Sequence, residues 1–495
     1  MKIRDITELK PFIIKSSGEF DFKGVTCDSR MVCRGDLFVA IPGYKENGSK
    51  YIESALKRGA SGIVTEKAQL PFNADYLRVS DAHMALALIS GAVNGWPARK
   101  MKVFSVTGTN GKTTTAWLLG EMFRSAGHKT GLFTTVCVEY EGREIPSVRT
   151  TPAACELQYL LADMHRSGCD SVVMESSSHA LVQKRVAGIP FAGGIFTNLS
   201  CDHLDYHKTM ADYFEAKLLM FQQMADLNPG ATAVCCIDNE YGIKMAEAIQ
   251  RLDLKCVTVG FSEDALLRAY ELKGSADGSE FKIAGCGSSG LHVRTSLAGR
   301  YNVDNMLCAA AMANAAGISW ENIKAVVETV QPHWGRLERV ALPDSQVTAF
   351  VDYAHTEDAL RNVLSTLREV TENRLIVVFG CGGDRDTSKR PLMGKACAEL
   401  ADKIVVTSDN PRSENPTEII EDVLAGIANK EHLTVCVDRR EAIQTALQMA
   451  APYDVVIVAG KGHECFQESA GRSVPFDDRK VLVEESRRLC TPAGT

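Results

Sequence analysis

Short runs of β-branched and aromatic residues alternate with amphipathic stretches along nearly the whole 495-residue chain, and the lengths of the apolar runs divide it into three parts. In residues 1–97, GDLFVAI, SGIVTE and DYLRV read as strands, and YIESALKRG and AHMALALISGAV as helices. This small α/β unit closes at NGWPARK, where Gly95 and Pro97 break the last helix. In residues 98–332 the apolar strands lengthen to KVFSVTG, DSVVMESSS, GGIFTNL, TAVCCID and KCVTVG. Helical stretches between the first four predict a parallel sheet covered on both faces. Residues 333–495 bring a separate set, VTAFVDYAH, RLIVVFGCGG, KIVVTSDNPR, LTVCVD and DVVIVAGKGHE, which predicts a Rossmann-like domain. The expected class is therefore α/β in three domains: a small N-terminal α/β domain, a central P-loop ATPase-like domain with a parallel sheet, and a C-terminal Rossmann-like domain. Ligands of such sheets bind beyond the carboxyl ends of the strands.

The polar residues concentrate at those ends. MKVFSVTGTNGKTTT turns from an apolar strand into a glycine-rich loop carrying Gly108, Gly111, Lys112 and Thr113, with Val106 where the strict P-loop pattern has glycine. Such a loop cradles phosphate oxygens with its backbone N–H groups, its lysine reaches the β/γ-phosphates, and its hydroxyl ligates Mg²⁺. Magnesium would want hard oxygen ligands nearby. Glu175 leaves a strand in VVMESSSHA, and TNLSCDHLDYH offers Asp202, His203, Asp205 and His207. The two histidines lack the H-E-x-x-H context of a zinc helix, and Asp202 alone reads as a helix cap. Lys217, in ADYFEAKLLMFQQM, reads as a surface lysine with its stem on apolar neighbours. Ser29, Arg30 and the loop 43–48 are ordinary polar loop residues when taken alone. In the last third, GCGGDRDTSKRP, TSDNPRSENP and AGKGHE are turns rich in groups that clamp carboxylates and amines, with arginine forks for the former and Glu464 for an ammonium. GCGGDR is not a dinucleotide fingerprint.

Composition narrows the class without changing it. With 45% hydrophobic and 24% charged residues the chain is globular in type, and a formal charge of −7 argues against a dedicated nucleic-acid partner. Sixteen cysteines are scattered without C-x-x-C pairs and read as free thiols of a reducing compartment. No run approaches the ~18 apolar residues needed to span a bilayer, and MKIRDITELKPF lacks an apolar leader, so a cytoplasmic enzyme without membrane insertion is expected.

Taken in order, TGTNGKTT, MESSSHALVQKR, TNLSCDHLDYH, YFEAKLLMF, AGRYNVDN, WGRLERV, DYAHTEDAL, GCGGDRDTSKRP, SDNPRSENP and GKGHE resemble the Mur ligases of the MurE type over nearly the whole chain. The resemblance implies ATP-dependent joining of an amino acid to UDP-N-acetylmuramoyl-L-alanyl-D-glutamate through an acyl phosphate, with a uridine-nucleotide role for the N-terminal domain and two Mg²⁺ ions. It implies Lys112, Glu175, His203 and Lys217 as the catalytic group. Gly108, Thr109, Asn110, Gly111, Lys112, Thr113 and Thr114 would bind ATP, with Asn305 near adenine, Arg336 at the γ-phosphate and Asp352 at the ribose. Thr113 and Glu175 would serve one metal ion; His203 and Lys217, the latter as a carbamate, would serve the second.

By the same resemblance, Ser29, Tyr44, Lys45 and Glu46 match uridine-nucleotide loops, and Thr150, Thr151, Ser177, Gln183 and Arg185 contacts with the muramoyl-peptide. Arg385, Asp409, Asn410, Pro411, Arg412, Gly460 and Glu464 match the amino-acid site. DNPR is the form of the branch that adds meso-diaminopimelate, whose second carboxylate suits Arg412, whereas the lysine-adding branch generally lacks that arginine. The implied partners are these small molecules alone, with no nucleic acid, no membrane and a monomeric chain. Two departures stand out: Glu357 where proline is expected, and Arg149 where some relatives have asparagine. Ligands divided among three domains also predict closure on binding.

Overall fold

The computed structural model describes all residues except 20, 44–45, 69–73, 276, 333, 344 and 491–495. Three separate sheets organise it. In the first, Ile13–Ser16, Tyr76–Val79, Gly62–Thr65, Asp36–Val39 and Gly24–Thr26 lie side by side, parallel except for the first. Helix Ala82–Val93 covers this sheet and buries Ala85 through Ala92 without a break, because its other side packs on helix Ala154–Arg166 of the next domain. A helix that is apolar all round is one buried on both sides. It ends at Val93, and the chain turns through Gly95 (φ +71°) and Trp96 into the short Pro97–Arg99 turn.

The second sheet has eleven strands. Its parallel centre runs Lys255–Gly260, Thr232–Cys236, Gly193–Phe196, Lys102–Thr107, Ser171–Glu175 and Thr130–Phe133. Helices Lys112–Ser125 and Arg300–Ala315 pack on one face, and Ala154–Arg166, Met210–Leu227 and Glu240–Arg251 on the other, giving two cores. Strand interiors such as Val103, Val106 and Ile195 have no exposure, as parallel strands with both faces covered require. Hairpins extend both edges. Leu267–Ser275, Gly278–Gly285 and Ser288–Thr295 form a meander on one side, a feature the sequence reading does not contain.

The third sheet runs Glu338–Val340, Thr348–Asp352, Val455–Ala459, Leu375–Phe379, Lys403–Val406 and Leu433–Val435, with only the first strand antiparallel. A two-stranded hairpin, Phe466–Ser469 with Arg472–Pro475, stands beside it. Among the described residues no helix is long and apolar enough to cross a membrane, and every described cysteine is free. The expected three-domain α/β architecture is thus the observed one.

Helix Glu357–Val370 begins with acids in its first turn, Glu357 and Asp358, which favour the positive helix end, and buried Thr356 caps it, accepting from the Ala359 N–H at 3.2 Å. Thr356→Ala should lower stability by about 1 kcal/mol, read as a shift of the denaturation midpoint.

Candidate active site

The carboxyl ends of the second and third sheets face each other across a cleft of about 930 Å³. Its floor is the loop after strand Lys102–Thr107. Val106, where the strict pattern has glycine, is still inside the strand, paired with Glu175 and Ile195, so the turn begins only at Gly108. A Cβ on Gly108 would lie 1.9 Å from Thr197 Oγ1, and one on Gly111 (φ +82°) 2.1 Å from Asn305 Oδ1. Only glycine allows both approaches. The neighbouring strand end clamps the loop: Thr109 N donates to Asn198 O at 2.9 Å, Asn110 N to Asn198 Oδ1 at 2.9 Å, and Thr197 Oγ1 to Asn110 O at 2.6 Å. Thr113 and Thr114 start the following helix, and the Lys112 ammonium lies over the loop, donating to the carbonyls of Gly108 (3.1 Å) and Thr109 (2.8 Å).

Glu175 ends the next strand with no exposure. Its carboxylate accepts from Thr113 Oγ1 (2.8 Å), Thr135 N (2.8 Å) and Thr135 Oγ1 (3.1 Å). Arg336 reaches in from the third domain, donates to Thr113 Oγ1 at 3.1 Å and stacks 4.5 Å from the Tyr353 ring centre. Asp352 accepts from the backbone of Leu337 and Ala354, and burial, only partly countered by Arg336 and these bonds, raises its carboxyl to about 6.

Lys217 overturns its reading as a surface lysine. It is 1% exposed, donates to Gly108 O at 2.7 Å, lies 4.4 Å from the Tyr213 ring centre and has no carboxylate ion pair among the described residues. Burial first, and then Lys112, hold its proton affinity well below the ordinary lysine value. His203 sits in the left-handed region (φ +56°) with Asp202 3.5 Å away. Asp202 caps no helix N–H; it accepts from the His203 backbone at 2.9 Å and faces Lys389 of the third domain at 3.9 Å. Burial works against its charge, but His203 and Lys389 outweigh it and hold the carboxyl near 2.

On the far side of Glu175, the residues matched to the muramoyl-peptide form one hydrogen-bonded set. Thr151 Oγ1 donates to Glu175 O (2.8 Å) and accepts from Ser177 N (3.1 Å); Arg185 donates to Thr151 O (2.8 Å) and twice to Gln183 Oε1, and Thr150 meets Thr135 at 3.2 Å. Buried Ser29 and exposed Glu46 belong to the first domain and do not line the cleft, while Tyr44 and Lys45 lie outside the described residues.

The three polar turns of the third domain meet where three of its parallel strands end, around Gly380, Asp409 and Gly460. Asn410 Nδ2 donates to Glu464 Oε2 at 2.7 Å, and Arg412, at φ +51°, donates to Gly383 O at 2.8 Å. Arg385, Asp409, Asn410, Arg412, Gly460 and Glu464 all line the cleft; Pro411 does not. The sequence reading missed Lys461, which is fully buried and bridges Asn410 Oδ1 and Glu464 Oε2 at 3.1 Å each. It also missed Thr135 and Asp358; Asp358 accepts from Asn110 Nδ2 at 2.8 Å across the domains. Lys461 and Asp358 lie inside motifs already quoted, whereas Thr135 carries no local signal.

Comparison with known proteins matches residues 21–92 to the Mur ligase family, catalytic domain; 106–313 to the Mur ligase middle domain; and 335–462 to the Mur ligase, glutamate ligase domain. The UDP-N-acetylmuramoyl-L-alanyl-D-glutamate--2,6-diaminopimelate ligase of Parabacteroides distasonis is 41% identical over 98% of this chain and 99% of its own. The chain belongs to the Mur ligase family. The similarly named enzyme of Clostridium perfringens is 39% identical over 95% of this Mur ligase and 96% of its own length. A solved structure of a UDP-N-acetylmuramoyl-L-alanyl-D-glutamate--2,6-diaminopimelate ligase superposes with a TM-score of 0.70 at 31% identity, covering 99% of both chains. MurF from Acinetobacter baumannii, at 19% identity and a TM-score of 0.65 over 98% of each chain, shares the fold.

Burial, with nearby cations, pushes His355 down to about 4 and His463 to about 3. The unfolded chain takes up these protons near pH 6.5, the folded Mur ligase only well below it. The stability these two histidines contribute should therefore be complete above about pH 6.5 and decline as pH falls from there toward 4, by up to ~1.4 kcal/mol per pH unit for each group. Thermal midpoints from pH 8 to 4.5 check this, and His355→Gln should flatten the slope; equal slopes in the two proteins would contradict it.

Proposed function

We propose that this Mur ligase joins meso-2,6-diaminopimelate to the D-glutamate of UDP-N-acetylmuramoyl-L-alanyl-D-glutamate with cleavage of ATP, in the cytoplasmic synthesis of peptidoglycan precursors. The observation that carries the reading is the meeting of a phosphate cradle and a basin of carboxylate- and amine-binding groups across one cleft. The names of the relatives agree with it. In this reading residues 1–97 hold the uridine nucleotide, 98–332 hold ATP, and 333–495 hold the amino acid.

A carboxylate is a poor electrophile, so the γ-phosphoryl group of ATP passes to the substrate's free carboxylate. The incoming amine attacks the acyl phosphate, phosphate leaves, and an amide remains. The protein's work is placement and charge compensation. Lys112 and Arg336 flank the phosphates; Asn305 and Asp352 take the nucleoside end; Thr151, Ser177, Gln183 and Arg185 orient the peptide carboxylate toward them. Arg385 and Arg412 pair with carboxylates of diaminopimelate, and Asn410 with Glu464 holds an ammonium.

The donor set fits Mg²⁺. Among the described residues no three histidine, cysteine or acidic side chains converge as a closed metal cage, and Mg²⁺ takes one or two protein oxygens plus phosphate and water. Thr113 with Glu175 would hold one ion, and His203 with carbamoylated Lys217 a second. Magnesium held by these residues would supply neutralisation of charge on the transferring phosphoryl group. Carbamoylation needs an uncharged amine to attack CO₂, and burial, which lowers the proton affinity of Lys217, favours the loss of the proton that this attack requires. The carbamate replaces a buried cation by an anion beside Lys112.

Phosphate release with ATP, Mg²⁺ and the UDP-dipeptide should require meso-diaminopimelate and fail with L-lysine; turnover with lysine instead would reject the assignment of the acceptor. Arg412→Ala should lower kcat/KM for diaminopimelate on the order of 10²-fold, because a carboxylate loses its charged partner. Activity should fall in buffers stripped of CO₂ and return with bicarbonate. Insensitivity to CO₂, with Lys217 unmodified by mass spectrometry, would reject the carbamate.

A further inference from the structure

Outside the groups already assigned, Arg439 and Asp478 are the most enclosed ion pair among the described residues, neither with any side-chain exposure. Arg439 opens helix Arg439–Met449 and Asp478 opens helix Asp478–Cys490, so the pair joins two helices packed on one face of the third sheet. Their geometry is a closed fork, with Nε to Asp478 Oδ1 at 2.8 Å and Nη2 to Asp478 Oδ2 at 2.7 Å. A buried pair of this kind is weak evidence for stability, since apolar residues of equal volume often serve as well. What distinguishes this one is where the remaining N–H groups go. Nη2 donates to Ala459 O at 2.9 Å, and Nη1 to Ser408 O at 3.3 Å.

Those carbonyls immediately precede Gly460 and Asp409. They stand at the ends of strands Val455–Ala459 and Lys403–Val406, which are not neighbours: Leu375–Phe379 lies between them. No backbone ladder fixes one end relative to the other. At the tip they must nevertheless meet closely, because a Cβ on Gly460 would lie 2.5 Å from Asp409 Oδ2, an atom with no hydrogen-bond partner of its own.

We propose that the Arg439–Asp478 pair is the positioning device of the amino-acid basin, holding the ends of two non-adjacent strands in register from beneath so that Asp409, Asn410 and Glu464 face one acceptor molecule. The proposal rests on the ligase reading above. Asp478 locks the guanidinium plane, and that plane sets the spacing of the two carbonyls; a rigid fork suits this where a flexible ammonium does not. The charge acts in the same sense. Burial pulls the arginine's proton affinity down, but Asp478, with Asp409 and Glu464 beyond it, lifts the balance above the ordinary value.

The test compares full kinetics of the wild-type chain with those of Arg439→Met/Asp478→Leu, which removes both charges at similar volume. The folded double variant should show KM for diaminopimelate raised about tenfold or more, with KM for ATP and the UDP-dipeptide within about twofold. Unchanged KM for diaminopimelate, or a loss spread evenly over all three substrates, would overturn the proposal. If the double variant does not fold, Arg439→Lys, which keeps the charge and loses the fork, must give the same selective rise; uniform loss or unfolding there assigns the pair to stability alone. A wild type inactive with diaminopimelate overturns the ligase reading itself, whereas an active wild type with an indifferent variant overturns only the role of the pair.

Discussion

The carboxylate of Glu175 is the point on which the site's geometry depends. An ionised group with no exposure costs several kcal/mol unless its oxygens are held. Here they are held by a hydroxyl at the start of helix Lys112–Ser125 and by the N–H and hydroxyl of Thr135, just past strand Thr130–Phe133. Glu175 itself ends the strand between Lys102–Thr107 and Thr130–Phe133. Three neighbouring parallel strands are thereby tied at their carboxyl ends to one group, and a one-residue slip would turn it out of the cleft. Arg336 attaches the third domain to the same spot through Thr113.

Around that anion the cradle gathers the basic side chains of Lys112, Lys217 and Arg336. Lys112 and Lys217 both reach Gly108 O; desolvation lowers the proton affinity of each, Arg336 lowers that of Lys112 further, and Lys112 lowers that of Lys217. Groups arranged in this way bind a polyphosphate strongly because the protein has already met the cost of desolvating and orienting them during folding. A single backbone carbonyl, Gly108 O, receives both ammonium groups, so the loop's conformation and the placement of its two lysines are one constraint.

Much of this is legible in the sequence because strand ends carry their chemistry locally: the glycine loop, Glu175 after its apolar run and the DNPR turn are each contiguous. Lys217 shows where the physical reading went astray and what would have corrected it. Tyr213, Met220, Phe221 and Met224 are among the buried positions of its helix, and 217 falls on the same stripe at helical spacing, so the pattern places it inside despite its charge. The meander 267–295 escaped because its strands are half exposed and interrupted by glycines, which weakens the alternation that marks a strand. Contacts such as Arg336 with Thr113, 223 residues apart, and Asn110 with Asp358, 248 apart, leave no local trace.

The two departures from the family pattern differ in consequence for the same geometric reason. Glu357 lies at the first position of its helix, where proline is tolerated because the N–H has no helical partner and where an acid meets the positive helix end. Its carboxylate turns to Arg361 along the helix, leaving the next residue, Asp358, to hold Asn110 of the phosphate loop. The substitution exchanges one favourable helix start for another and leaves the interdomain bond in place. Arg149 is exposed, yet its charge reaches Arg185, which burial and this neighbour together hold near 10. There the exchange adds positive charge beside a guanidinium already short of solvent, and an anionic substrate bound between them would relieve both.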